Sequence, residues 1–194
     1  MRKRVAVLIS GRGSNMEALI RAAQEPDYPA EIALVIANRP DAGGLATARS
    51  AGIAAELVDH TQFPSKAAFE AAIEALLMAH RIDLVALAGF MRILSEPFTR
   101  RWEGRLINIH PSLLPAFKGL HTHERALEAG VSEHGCTVHF VTAGMDEGPI
   151  IAQARVPVLP GDTAETLAAR VLVEEHRLYP QALALVASGN AAAG

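Results

Sequence analysis

Short apolar runs rich in β-branched residues alternate with alanine-rich stretches over the first 110 residues, and few folds accept that alternation. The runs are Arg4 to Ile9, Glu31 to Ala37, Ala54 to Val58, Asp83 to Ala88 and Arg105 to His110. Helices are expected between them, near Ser14 to Gln24, Gly43 to Ala51, Ser65 to His80 and Ser95 to Trp102. Strands that are apolar on both faces need a helical layer on each side, and parallel neighbours need such crossovers to connect them. The expected class is therefore α/β, a Rossmann-like open, mostly parallel twisted sheet with helices on both faces.

The second half reads differently. A proline-rich loop, Pro111 to Gly119, leads to a short helix near Thr122 to Ala129, then to strands Cys136 to Thr142 and Ile150 to Val158. Only Ala143 to Pro149 separates these strands, so they are expected to form an antiparallel C-terminal hairpin. A last helix is expected from Asp162 or Thr163, with Glu165 in a capping box, to about Leu178 before Pro180. Its apolar face is read through Ala164, Ala168, Val171 and Leu178, with Glu175 on the same face. The 194 residues suit one domain, 1–194, with a frayed tail from Ser188 to Gly194.

Charge narrows the partners. A net charge of -3 with scattered lysines and arginines argues against a nucleic-acid surface. No run approaches the roughly 20 apolar residues of a membrane span. The apolar run after Arg2, Lys3 and Arg4 ends too soon for a signal sequence. With a single cysteine, Cys136, the expectation is a cytoplasmic protein that acts on small molecules.

Three motifs carry candidate chemistry. Gly11-Arg12-Gly13-Ser14-Asn15 lies between a strand and a helix, where glycines permit a tight turn and the first helical N–H groups can meet an anion. It reads as a phosphate cradle or as an ordinary strand-to-helix turn. Met16 and Asn38 replace the third glycine and the acid of a dinucleotide fingerprint, and the P-loop lysine is missing, so NAD and ATP are disfavoured. In Arg105-Leu-Ile-Asn-Ile-His110 the side chains alternate, placing Asn108 and His110 on one face at the strand end where open α/β sheets bind ligands. By themselves the pair can equally be structural. Asp146, inside Gly144-Met-Asp-Glu-Gly148, is either a turn residue or a third member of that site. His121, His123 and Glu124 have poor spacing for zinc, so no metal is expected; His139 reads as a strand residue with no assigned role.

Taken together, Leu8 to Asn15, Leu87 to Leu94, Asn108 to Pro115, Gly135 to Val141, Asp146 to Gly148 and Glu175-His176 resemble the folate-dependent formyltransferase family. The resemblance implies that Asn108, His110 and Asp146 are the catalytic trio and that 10-formyltetrahydrofolate donates a formyl group. The implied acceptor is the amine of glycinamide ribonucleotide, its phosphate held by Arg12, Gly13, Ser14 and Asn15 and its amine or ribose end by Glu175. Met91, Arg92, Ile93 and Leu94 are implied to line the folate pocket with Val141, Thr142, Ala143 and Gly144, and Asn108 to touch the folate. Lys66 stands where relatives commonly carry arginine, and it is read as a phosphate or folate-carboxylate contact. Family members acting on methionyl-tRNA or hydrolysing the folate usually carry an extra domain, and a binding module without activity is the third alternative.

The chemistry suits the trio. The acceptor amine, with a pKa of roughly 7.7 to 8.0, needs no covalent enzyme nucleophile. Attack on the formyl carbon builds an oxyanion, for which an Asn108 amide and a protonated His110 are suitable donors. A nearby Asp146 carboxylate would favour the imidazolium and can take the amine's proton, directly or through water.

Overall fold

The computed structural model describes residues 1–191, so part of the expected frayed tail lies outside the described residues. Five parallel strands form the first part of a seven-stranded sheet: β1 (Lys3–Ile9), β2 (Ala30–Ala37), β3 (Ala54–Leu57), β4 (Leu84–Leu87) and β5 (Leu106–His110). Strands β6 (Glu133–Phe140) and β7 (Ile150–Pro157) complete it in the order β3-β2-β1-β4-β5-β6-β7, with β5·β6 and β6·β7 antiparallel. The order reverses between β1 and β4, and the loops after those strands flank the crevice where such sheets bind ligands.

Helices α1 (Ser14–Ala23), α2 (Gly44–Ser50), α3 (Lys66–Ala79), α4 (Glu96–Arg101), α5 (Thr122–Ala129) and α6 (Ala164–Ala187) cover the sheet. Side-chain alternation divides the core in two. Val5, Val7, Ile9, Ile107 and Ile109 pack with α1 and α6, whereas Ala6, Leu8, Val85, Leu87 and Leu106 pack with α3 and α4. Asn108 and His110 share the parity of Leu106, so they emerge on the α3–α4 face, past the cover those helices give.

The final helix corrects two expectations. It does not stop before Pro180 but continues to Ala187, because Ala182, Leu183, Val186 and Ala187 bury against the sheet and outweigh the missing proline N–H. Its capping box pairs Thr163 with Thr166, not Glu165, since Thr166 occupies the third helical position. The buried face runs through Leu167, Val171, Glu175 and Leu178; Ala164 and Ala168 are only partly buried. Tyr179, fully buried, donates its hydroxyl to the Leu87 carbonyl (2.7 Å) and so fixes α6 against the end of β4.

Candidate active site

Asn108 lies opposite His139 and His110 opposite Thr137 in the β5·β6 ladder, so Asn108 and His139 are side-by-side neighbours on one face. Asp146 arrives from the Val141–Pro149 connection. Strand β6 ends at Phe140, beside Ile107, and from there the connection folds back over the sheet towards His110. Gly148 makes that return possible: a Cβ there would lie 1.6 Å from the Phe140 carbonyl oxygen, so no other residue fits without moving the backbone. Asp146 itself has φ 53°, a left-handed conformation that Asp tolerates better than most residues.

The trio meets. Asp146 Oδ2 is 3.6 Å from His110 Nδ1 and accepts a hydrogen bond from the Gly119 N–H at 2.9 Å. His110 Nε2 donates to the Phe117 carbonyl at 2.9 Å, which leaves Nδ1 as the nitrogen facing the carboxylate. Both side chains are nearly buried, 8% and 12% exposed, so their interaction is little screened.

His139, which the sequence left without a role, stands inside this group. Its Nδ1–H donates to the Phe140 carbonyl (2.9 Å), so its Nε2 accepts from the Asn108 Nδ2 (3.4 Å) and lies 4.0 Å from Asp146 Oδ1. Burial lowers the His139 pKa, outweighing the Phe140 carbonyl and the Asp146 charge, which both raise it. A neutral ring is the state this bonding pattern needs. The ladder pairing of His139 with Asn108 was the signal for its role, and strand pairing cannot be read from one strand alone.

Above the trio, a cleft of about 470 Å3 extends from Asn108 and His110 past Gly89 and Met91 to Asn15 and Glu175. An adjoining recess is lined by Gly11, Arg12, Gly13, Ser14 and Asn15. Gly13, with φ 72°, turns the chain into α1, and no side chain caps the helix, so its first N–H groups face that recess free for an anion. Asn15 Nδ2 donates to Glu175 Oε1 at 3.1 Å, tying α1 to α6 at that end of the cleft. Burial raises the Glu175 pKa to about 7, with the Asn15 bond opposing.

The other expected contacts divide. Met91, Arg92 and Ile93 are exposed beside the cleft, whereas Leu94 turns inward and packs in the α3–α4 core. Val141, Thr142 and Ala143 line a smaller pocket with Glu96 and Arg100, and Gly144 lies between them and Asp146. Lys66 begins α3 as an exposed residue and does not line the cleft. His121, His123 and Glu124 line its rim, and among the described residues no group of three or more His, Cys, Asp or Glu is placed to hold a metal ion. Burial pushes the Cys136 thiol up to about 12, which leaves it inert.

Two buried groups give opposite pH signatures. A folded Glu175 with a raised pKa binds a proton that the unfolded chain has released, so its contribution is full below about pH 4.5 and is lost as pH rises through 7. The melting temperature of Glu175→Gln, relative to the parent, should therefore increase from pH 5 to pH 8. His134 behaves in reverse. Burial, then His123 and His110, lower its pKa to about 4, and its Nε2 lies 3.1 Å from His123 Nδ1. Its contribution is present above pH 6.5 and is lost as pH falls through 4, so His134→Gln should flatten the acid limb of the melting-temperature curve. Melting curves of the two variants and the parent from pH 4 to 8 check both signs.

A Rossmann-like sheet whose switch point holds a glycine loop without the dinucleotide fingerprint, beside an amide, an imidazole and a carboxylate, fits a group-transfer enzyme rather than a dinucleotide oxidoreductase. The chain belongs to the formyl transferase family, whose model matches residues 3–183. It is 46% identical over 186 residues to phosphoribosylglycinamide formyltransferase of Escherichia coli K12, covering 96% of this chain and 88% of that protein. A crystal structure of phosphoribosylglycinamide formyltransferase from Brucella melitensis superposes with a TM-score of 0.94 at 59% identity over the full length of both chains. A trifunctional purine biosynthetic protein, adenosine-3, of Bos taurus is 54% identical over 186 residues, covering 96% of this chain; the chain spans 18% of that protein's length. No helix among the described residues is long and apolar enough to cross a membrane.

Proposed function

We propose that this chain transfers the formyl group of 10-formyltetrahydrofolate to the amine of glycinamide ribonucleotide, as a cytoplasmic step in purine synthesis. The observation that carries the reading is the meeting of Asp146 with His110 at 3.6 Å and, through His139, with Asn108. The names of the similar proteins favour this acceptor over others in the family. The phosphate takes the glycine recess, and the ribose or amine end lies towards Glu175 and Asn15. The folate lies along Met91 to Ile93 and the Val141 to Gly144 segment.

The neutral amine nitrogen attacks the formyl carbon, and the carbonyl oxygen becomes an oxyanion. Asn108 has two amide hydrogens: one is held by His139, and the other is free for that oxygen. A protonated His110 supplies a second donor from Nδ1, with Asp146 balancing its charge. The carboxylate accepts the proton released by the amine and returns it to the folate nitrogen as the carbon–nitrogen bond to the folate breaks. Formylated glycinamide ribonucleotide and tetrahydrofolate leave.

The test offers the pure protein 10-formyltetrahydrofolate with glycinamide ribonucleotide, methionyl-tRNA or water. Formylation of the ribonucleotide is expected. Preferred transfer to the tRNA, or release of formate without an acceptor, would overturn the reading.

A further inference from the structure

Ser10 is the last residue before the glycine loop, and its side chain is buried, 7% exposed. Its hydroxyl accepts from the Met91 backbone N–H (2.8 Å) and donates to Asn38 Oδ1 (2.6 Å). Asn38, 1% exposed, stands just after β2; its Nδ2 lies 3.2 Å from His60 Nδ1, and its own N–H bonds the Ile9 carbonyl. These bonds join the C-terminal ends of β1, β2 and β4 with the turn after β3, across the point where the strand order reverses. A hydroxyl has one hydrogen. Because Asn38 takes it, a Ser10 lone pair is left facing the loop after β4, which fixes the direction of the chain of bonds.

The two segments joined in this way begin the two substrate subsites. Ser10 continues directly into Gly11, Arg12 and Gly13, while Met91 opens the Met91 to Ile93 segment. We propose that Ser10 is a positioning residue that sets the spacing between the phosphate-holding loop and the folate-lining loop. This rests on the proposed function above for the identity of the ligands. Spacing matters because the amine and the formyl carbon are carried in by different molecules, and a displacement of about 1 Å between bound reactants can cost a hundredfold in rate. Neither Ser10 nor Asn38 touches the reacting atoms. Their effect passes through the backbone at Gly11 and Met91.

The experiment compares Ser10→Ala with Ser10→Thr, which keeps the hydroxyl. Hydrogen exchange at the Met91 amide is read by NMR, and kcat and KM are measured with 10-formyltetrahydrofolate and glycinamide ribonucleotide. In Ser10→Ala the Met91 amide should exchange about tenfold faster or more while the β1 and β4 amides keep their protection. Its folate KM should rise about tenfold and kcat fall about tenfold, and Ser10→Thr should recover most of both. Asn38→Ala, which removes the acceptor that orients the hydroxyl, should accelerate Met91 exchange in the same direction and serves if Ser10→Ala does not fold. Unchanged Met91 exchange, or a uniform loss of protection across the sheet, would overturn the proposal. A parent protein that forms no formylated ribonucleotide counts against the function and leaves the exchange result to judge Ser10.

Discussion

Replacing His110 with alanine should lower kcat by roughly two orders of magnitude or more while glycinamide ribonucleotide still binds within a few-fold of the parent. The side chain is 8% exposed and faces two polar groups, the Phe117 carbonyl through Nε2 and Asp146 through Nδ1. In the proposed mechanism its loss removes an oxyanion donor and the imidazole beside Asp146, both of which matter more in the transition state than in the bound substrate. The glycine-loop recess lies at the other end of the cleft, and His110 does not line it. Steady-state kinetics with a melting curve at the assay pH separates these effects, because a variant that folds and turns over at the parental rate would remove His110 from the chemistry.

Asp146→Asn should cost more selectively. The amide keeps the carboxylate's size, and its oxygen can still accept from the Gly119 N–H, so the loop contact survives. Charge and basicity are lost. General-base assistance is worth roughly 10² to 10⁴ in rate, and a fall of that size in kcat is expected in steady-state kinetics. Parental turnover would mean that the attacking amine gives its proton elsewhere.

The sequence was informative wherever a feature depends on residues close together in the chain. The glycine loop, the shared face of Asn108 and His110 and the order of elements through β5 follow from local alternation and turn chemistry. What depends on partners distant in sequence stayed hidden. His139 was passed over because its meaning comes from the strand paired with it. Leu94 follows Met91 to Ile93 in the chain, yet its side chain, near the start of α4, enters the core, a burial that depends on partners distant in sequence. Pro180 was given the weight of a helix terminator, although the buried residues beyond it pull the helix onward. The capping box was assigned to the familiar acid rather than to Thr166, one residue further on.

The hydrogen bond from Gly119 to Asp146 joins the segment before α5 to the Asp146 carboxylate, with the Lys118–Glu147 ion pair (3.1 Å) beside it. The Gly119 amide fills one of the roughly four acceptor sites of that carboxylate, so a ligand that seeks Asp146 need not displace it. Such compounds should therefore bind Asp146 with the Gly119 contact intact.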